Sequence, residues 1–233
     1  VAERTAKLEQ TVEELESFSY TVSHDLRSPL RAIDGFSQAL LEDYGDVLDA
    51  VGTDYLDRSR KAAQRMGRLI DDLLNLSRIS RVRLRRQAVD ISAAARQIGD
   101  DLCAGAGTER PNVRIHPDLH AQAEPGLVNA LLTNLMTNAW KFTTSGPQGV
   151  IEVGATSIEG DKVFYVRDNG SGFPMQYASK LFQPFHVLDP QSSASGNGIG
   201  LATAQRIVHH HGGAIWAKSA PGEGATFYFT LKS

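Results

Sequence analysis

The chain has 233 residues, of which 41% are hydrophobic and 22% charged, a composition typical of a globular protein of one or two domains. A formal net charge of -3 gives no reason to expect a nucleic-acid partner, and a single cysteine, Cys103, excludes an intrachain disulfide. No signal peptide and no apolar run long enough to span a bilayer are present, so we expect no direct membrane contact.

The first predicted element is a long amphipathic helix. Apolar residues recur every three or four positions from Leu8 to Ile33, with polar residues between them. We expect this helix to run to about Glu42, and Tyr44-Gly45-Asp46 and Gly52 to form the turn that follows. Because the chain opens inside the helical pattern, we expect it to be a fragment that lacks an upstream part.

A second predicted helix carries a coiled-coil-like stripe. Its members alternate at steps of four and three: Tyr55, Ser59, Ala62, Met66, Leu69, Leu73 and Leu76. This period predicts an antiparallel helical hairpin. Since Ile70 and Leu74 widen the stripe beyond what one partner helix can cover, the hairpin should pair with a second copy as a four-helix bundle, which makes a homodimer the expected state.

After Arg86 the pattern changes to short strands alternating with helices, which predicts a separate α/β domain with a mixed sheet and helices on one face. We therefore expect an α+β protein with domains at residues 1–83 and 84–233. The predicted helices are Ile91–Leu102, Pro125–Phe142 and Ile199–His211. The predicted strands are Val113–Ile115, Val150–Val153, Val163–Val166, Ala214–Ala217 and Thr226–Leu231.

A reactive segment, residues 23–30, lies in the first helix. At about 100° per residue, His24 lies roughly 200° from the core position Val22, so we expect it to face solvent or an incoming domain. A neutral imidazole is a competent nucleophile, and Asp25 can hold the proton on one ring nitrogen. An exposed His-Asp pair beside a helix bent at Pro29 would look the same, and the residues alone leave both interpretations open.

Polar residues on the predicted helix Pro125–Phe142 indicate a nucleotide site. Asn134, Asn138 and Lys141 share one face, where amide oxygens suit Mg²⁺ and the lysine can neutralise phosphate charge. Asp168 follows a strand and could accept a hydrogen bond from an adenine amino group. Helix caps or packing groups, and a plain Asp-Asn-Gly turn, are the structural alternatives.

A glycine-rich loop, Gly196, Gly198 and Gly200, leads into the last predicted helix. Free backbone N–H groups and the helix dipole favour phosphate there. The loop has neither the Gly-Lys-Ser/Thr of a Walker loop nor the early position of a dinucleotide fingerprint. The polar segment from Phe185 to Gly196 is either a mobile lid over the phosphates or a simple surface loop.

The remaining histidines give no clear site. His209, His210 and His211 point in different directions on a helix, so we interpret them as residues near its negative C-terminal end and not as a metal site. His116, His120 and His186 have no suitable partner in the sequence and are assigned no role.

Together these segments resemble the catalytic core of the sensor histidine kinases of two-component systems, including phytochrome-like ones. Residues 23–30 are similar to the phospho-acceptor box, residues 134–143 to the N box, and residues 181–185 to the phenylalanine box. The three glycine boxes of the family have counterparts at residues 168–173, 196–202 and 222–227. The resemblance implies a gyrase-type ATP-binding fold that follows a dimeric helical hairpin.

The resemblance also implies roles for individual residues. His24 would be phosphorylated with Asp25 as its base, Asn138 would be the Mg²⁺ ligand, and Asp168 would bind adenine. The other implied ATP-binding residues are Asn134, Lys141, Phe142, Gly170, Gly172, Gly196, Gly198, Gly200 and Thr226. Ser28 stands where the family usually has Thr or Asn to help hydrolyse the phosphorylated partner.

By this resemblance, Mg-ATP would phosphorylate His24, and the phosphoryl group would pass to an aspartate on the receiver domain of a response regulator. An upstream sensory domain, absent from this chain, would supply the signal, and the core would be cytoplasmic or the cytoplasmic part of a membrane-bound sensor. One departure is Val187, because many relatives carry an arginine shortly after the phenylalanine box. A gyrase- or chaperone-type ATPase and a non-catalytic dimeric nucleotide-binding module are the alternatives.

Overall fold

The computed structural model describes residues 23, 25–79, 82–104, 110–143, 146, 148–188 and 197–232. The chain divides into two units, Val1–Arg78 and Ile79–Ser233. His24, Gly196, the predicted helical positions before Ser23 and residues 189–196 of the predicted lid lie outside the described residues. Within the described ranges, no helix is both long and apolar enough to cross a membrane.

The first unit is the predicted helical hairpin. Helix α1 covers residues 25–44 and helix α2 covers Ala50–Ile79. Arg27 pairs with Asp71 at 2.7 Å and Arg60 pairs with Asp34 at 3.1 Å, so early residues of α1 meet late residues of α2. This pairing is antiparallel, as predicted.

Gly52 does not belong to the turn where the sequence placed it, because α2 already begins at Ala50. The carboxylate of Asp49 accepts a hydrogen bond from the Gly52 N–H at 2.7 Å. Asp49 therefore caps the helix through its third residue, and a capped start outweighs the poor helix propensity of glycine.

Two stripes with a seven-residue spacing run along α1. Leu30 and Ser37 are buried, whereas Leu26, Ile33 and Leu40 are exposed. On α2 the predicted stripe is likewise exposed at Tyr55 (64%) and Met66 (48%), whereas Ala63 and Leu74 are buried. The hairpin thus covers only part of its apolar surface, because two helices cannot bury a stripe this wide.

The second unit combines helices with a mixed sheet, as predicted. Its helices are α3 (Ile91–Ala104), α4 (Pro125–Phe142) and α5 (Gly200–His210), and a short 3-10 helix spans Met175–Lys180. Its strands are β1 (Gln87–Asp90), β2 (Asn112–Ile115), β3 (His120–Ala123), β4 (Val150–Ile158), β5 (Asp161–Asp168), β6 (Ile215–Ser219) and β7 (Ala225–Phe229).

Five of the strands form one sheet in the order β2-β4-β5-β7-β6. Strands β2 and β4 are parallel, and the other neighbours are antiparallel. Helix α4 contacts α3, α5 and strands β4 and β5, so it lies at the centre of the packed layer. Its inner face, including Leu131, Leu132, Leu135 and Met136, is fully buried.

Strands β1 and β3 were not predicted. They pair with each other, antiparallel, in a separate two-stranded sheet beside α3. Helix α3 begins directly after β1, and the Asp90 carboxylate accepts a hydrogen bond from the Ala93 N–H at 2.8 Å. The small sheet thus sets the start of α3 and connects it to the residues that precede α4.

Candidate nucleotide-binding site

A cavity of about 710 Å³ opens in the second unit beside α4, the start of α5, and strands β5 and β7. Its volume lies within the range of small-molecule and cofactor sites. Eight residues predicted to bind nucleotide line it: Asn134, Asn138, Lys141, Phe142, Asp168, Gly172, Gly198 and Gly200. The fold therefore brings together residues that are separated by more than sixty positions in the sequence.

Asp168 provides a buried carboxylate in this cavity. Only 3% of the residue is exposed, and its Oδ1 accepts hydrogen bonds from the N–H groups of Gly170 at 2.9 Å and Ala225 at 3.3 Å. Burial raises the pKa of this carboxyl group, and the two backbone hydrogen bonds oppose that shift. A group fixed in this way can accept a hydrogen bond from a ligand with little reorganisation.

Two glycines near Asp168 lie so close to the backbone of a neighbouring segment that a side chain would not fit. Gly224 has a φ of +79°, and a Cβ there would lie 2.1 Å from the Asp168 carbonyl oxygen. Gly170 is equally crowded, because its Cβ would lie 1.8 Å from the Phe142 carbonyl oxygen. That carbonyl also accepts a hydrogen bond from the Ser171 N–H at 3.0 Å, so the loop after β5 is attached to the end of α4.

The other end of the cavity lies where α4 meets the start of α5. A Cβ on Gly200 would lie 2.9 Å from Asn134 Oδ1, so these two residues are in direct contact. The Asn134 Nδ2 atom donates to the Ala130 carbonyl at 2.8 Å, which orients the amide. Asn134 and Phe142 are eight residues apart, so the two ends are separated by about 12 Å along α4.

The start of α5 receives no side-chain cap from its N-cap residue. Its N-cap residue is Ile199, which has no side-chain acceptor, whereas the N-cap of α4, Glu124, accepts from the Leu127 N–H at 2.7 Å. Gly198, Gly200 and Leu201 all line the cavity at this point. Uncapped N–H groups at the positive end of a helix favour an anionic ligand.

Several lining residues were missed by sequence reasoning. Thr133 and Thr137 lie on the same face of α4 as the predicted polar residues, and the helical period could have identified them. Tyr177 and Leu181 give an apolar wall, and Phe227 gives another from β7. Their positions depend on tertiary packing, and no local pattern indicates them.

Some predicted residues lie elsewhere. Thr226 and Gly170 are not among the residues that line the cavity. Thr226 lies between Ala225 and Phe227 on β7, and both of these line it, so the strand alternation directs Thr226 to the opposite face. Asp25 and Ser28 are exposed on α1 in the first unit.

His211 lies at the C-terminal end of α5, as the sequence indicated, and has partners of its own. It is fully buried, and its Nδ1 lies 2.8 Å from the Ile207 carbonyl oxygen. Its Nε2 accepts from the Glu124 N–H at 3.1 Å, which joins the end of α5 to the start of α4. Burial lowers the pKa of the imidazole, so it is held neutral and does not act as a cation at the helix terminus.

His116 also has a partner, contrary to the sequence expectation. Its Nε2 lies 2.8 Å from Glu152 Oε1, which accepts from the Tyr165 hydroxyl at 2.8 Å as well. The hydrogen bond from Tyr165 lowers the pKa of Glu152, and burial raises that of Tyr165 to about 12. None of the three residues lines the cavity.

Two family matches cover most of the chain. Residues 14–81 match the His Kinase A (phospho-acceptor) domain, and residues 123–233 match the histidine kinase-, DNA gyrase B- and HSP90-like ATPase. Together they define a protein with a phospho-acceptor hairpin followed by a gyrase-type ATP-binding domain. The chain belongs to the histidine kinase family, whose members act in two-component signalling.

The curated relatives that the chain matches include a phytochrome and a regulatory histidine kinase. Cyanobacterial phytochrome B of Nostoc sp. is 37% identical over 237 residues, a match covering 100% of this chain and 31% of that protein. The methanogenesis regulatory histidine kinase FilI of Methanothrix harundinacea is 36% identical, and the match covers 98% of this chain and 26% of FilI. The chain thus spans about a third or less of these relatives.

Solved structures agree on the fold. Full-length ShkA, crystallised in complex with AMPPNP, matches with a TM-score of 0.68 at 27% identity, over 91% of this chain and 45% of ShkA. The Acinetobacter baumannii histidine kinase AdeS matches with a TM-score of 0.59 at 19% identity, over 90% of this chain and 97% of AdeS. The hairpin followed by a mixed-sheet ATP-binding domain is therefore the fold of histidine kinase cores.

Proposed function

We propose that this chain is an ATP-dependent protein-histidine kinase that phosphorylates His24 and then passes the phosphoryl group to an aspartate on a response regulator. The main support is the cavity that unites Asp168, Asn138 and the uncapped start of α5 in a chain with a matched phospho-acceptor region. A buried carboxylate at one end and an anion-favouring helix start at the other suit a nucleotide with a purine amino group and phosphates.

In the proposed reaction a His24 imidazole nitrogen attacks the γ-phosphorus of ATP. A nitrogen–phosphorus bond forms, the bond to the oxygen bridging the β- and γ-phosphorus atoms breaks, and ADP leaves. Asp25 accepts the proton of the imidazole. Catalysis depends mainly on positioning and charge stabilisation, as in other phosphoryl transfers.

The residues of the cavity suit a magnesium ion bound together with phosphates. Asn134 directs an amide oxygen towards the helix start, and Asn138 lines the cavity one turn later. Mg²⁺ prefers such oxygen donors and keeps several of its waters. When bound, the ion would neutralise and orient the phosphate oxygens. No cluster of three or more His, Cys, Asp or Glu side chains occurs among the described residues, so phosphates and water would complete the shell.

The exposed apolar stripes of the hairpin support the homodimer. Phe36 is 73% exposed on α1, beside Leu26, Ile33 and Leu40 at their seven-residue spacing. A second hairpin that covered these residues would complete a four-helix bundle. Replacing Phe36 with Glu should shift the chain to monomers in analytical ultracentrifugation. The matched control is Gln97→Glu, which adds a carboxylate at an exposed, polar position of the second unit. If Phe36→Glu remained dimeric, the proposal that this face of α1 forms the dimer would be contradicted.

The decisive test is incubation with Mg²⁺ and γ-labelled ATP. Wild-type chain should acquire acid-labile, alkali-stable label, and His24→Gln should not, although it should bind ATP with unchanged affinity. Asn138→Ala should lose Mg-ATP affinity while keeping its fold in circular dichroism. Labelled wild-type chain should then transfer the label to a receiver domain, and Ser28→Ala should slow any later release of phosphate from that domain.

Other outcomes would favour the alternatives. Labelled free phosphate without labelled protein would indicate a gyrase- or chaperone-type ATPase. ATP binding with neither product would indicate a non-catalytic dimeric nucleotide-binding module. If His24→Gln failed to bind ATP, the proposed separation between the acceptor and the nucleotide site would be wrong.

A further inference from the structure

The side chain of His210 binds the segment through which the second unit is joined to the hairpin. Its Nε2 lies 2.8 Å from the carbonyl oxygen of Val82, a residue 128 positions earlier in the chain. A carbonyl oxygen can only accept, so the imidazole carries a proton on Nε2 and donates it. The bond connects the last turn of α5 with a residue that precedes every strand of the second unit.

Contacts on both sides hold this bond in place. The Val82 N–H donates to the Ile79 carbonyl at 3.2 Å, so both polar backbone groups of Val82 have partners. The His210 ring lies edge-on to the ring of His211, with the centroids 6.4 Å apart. His211 is buried and accepts from the Glu124 N–H, so the end of α5 is a fixed support for the His210 side chain.

The bond shortens the free connection between the two units. Helix α2 ends at Ile79, where the second unit begins. With Val82 bound to α5, only residues 80 and 81 separate Ile79 from the first attached residue. Without this bond, the next residue that the structure pairs with another element is Gln87, opposite Ala123. The connection would then grow from two residues to seven, residues 80–86.

The proposed reaction requires an acceptor on one unit to meet a nucleotide bound to the other. The effective concentration of two joined partners falls roughly as the −3/2 power of the length of the flexible chain between them. We propose that His210 is a positioning residue for autophosphorylation, which acts by attaching the Val82 carbonyl to α5 and so keeping the connection short. This inference rests on the proposed function.

The test measures labelling of the chain by γ-labelled ATP in three variants of His210. His210→Ala should lower the maximal rate about sixfold, the effect of the longer connection. The ATP concentration that gives half of this rate should not change, because His210 does not line the cavity. In His210→Gln the amide nitrogen reaches the place of Nε2, so this variant should keep most of the rate. In His210→Asn it reaches only the place of Nδ1, so this variant should be as slow as His210→Ala.

Trypsin digestion of the same variants reports on the connection directly. Three exposed arginines, Arg83, Arg85 and Arg86, follow Val82. Release of Val82 should therefore speed cleavage after these arginines in His210→Ala and His210→Asn, but not in His210→Gln. The matched control is His209→Ala, at the exposed neighbouring position of α5, which should behave as the wild type does in both assays.

A wild-type labelling rate or wild-type cleavage in His210→Ala would overturn the inference. So would a loss of rate in His210→Gln as large as in His210→Ala. A higher half-saturating ATP concentration at an unchanged maximal rate would also overturn it, because the effect would then lie at the nucleotide site. Wild-type chain that binds ATP but acquires no label would instead refute the proposed function itself.

Discussion

Replacing Asp168 with Asn should separate nucleotide recognition from folding stability. Asp168 Oδ1 accepts two backbone N–H groups, from Gly170 and Ala225, and an amide oxygen can take over both bonds. The amide nitrogen would then occupy the position of the second carboxylate oxygen. If Asp168 binds adenine as proposed, a donor would then stand where the adenine amino group needs an acceptor, so the variant should lose this bond while keeping the loop in place.

The expected loss of binding follows from the charge of the acceptor. A hydrogen bond to a charged group contributes about 1.5–3 kcal/mol, which corresponds to about a ten- to a hundred-fold loss in ATP affinity. The stability of the fold should increase, although ATP binding weakens. Because burial raises the pKa of Asp168, its ionised form is less favourable in the folded chain than in the unfolded chain, so removing the charge should raise the free energy of unfolding at pH 7.

Two measurements on one variant test this reasoning. Titration calorimetry should show weaker ATP binding and a smaller preference for ATP over GTP, and urea unfolding at pH 7 should show a higher free energy of unfolding. Asp161→Asn, at the exposed start of the same strand, should change neither. Wild-type ATP affinity in Asp168→Asn would refute the adenine contact, and a clear loss of stability would refute the assignment of the raised pKa to burial.

Two further predictions concern the fold around the site. Gly224→Ala should lower the melting temperature, because its Cβ would lie 2.1 Å from the Asp168 carbonyl oxygen. The control is Gly222→Ala, which has the same φ of +79° but no atom within 4 Å of its Cβ, so it measures the backbone strain alone. Equal losses of melting temperature in the two variants would refute the steric argument. Burial lowers the pKa of His211 below the ordinary histidine value of about 6.5. The neutral imidazole should therefore contribute fully to the free energy of unfolding above about pH 6.5, and this contribution should be lost as the pH falls towards the pKa of the folded state. Urea unfolding at pH 7.5 and 5.5 should therefore differ more for wild type than for His211→Gln, and equal differences would contradict this.

The elements with a strong local pattern were predicted closely. The predicted and observed bounds of α4 are both Pro125–Phe142. Its start is encoded locally, since Glu124 caps the helix and proline is favoured in the first turn, and its apolar residues repeat with the helical period. Helix α3 begins at the predicted Ile91 for a similar reason, because Asp90 caps it.

The small sheet could not be predicted, because neither of its strands has a pattern of its own. Strand β1 reads Gln-Ala-Val-Asp and β3 reads His-Ala-Gln-Ala, without a run of β-branched or aromatic residues. Each segment forms a strand by pairing with the other, with Gln87 opposite Ala123 and Asp90 opposite His120. Such pairing depends on where α3 places the two segments, and local sequence carries no information on it.

The sequence indicated which polar side chains of α4 share a helix face, but it gave no local signal for positions that depend on packing. The helical period places Asn134 and Asn138 on one face of α4, and both line the cavity. His211 lies at the end of α5, as the sequence indicated, but its burial, which lowers the pKa of the imidazole, has no local signal.

The cavity has opposite chemical character at its two ends, and this polarity is a product of the fold. The loop after β5 holds the Asp168 carboxylate near the end of α4, while the uncapped start of α5 contacts Asn134 about 12 Å away along that helix. An acceptor at one end and N–H donors at the other can be satisfied together only by a ligand with donors at one end and negative charge at the other. Reversing such a ligand would put its negative charge against Asp168, so we expect this polarity to set the direction in which the proposed nucleotide binds.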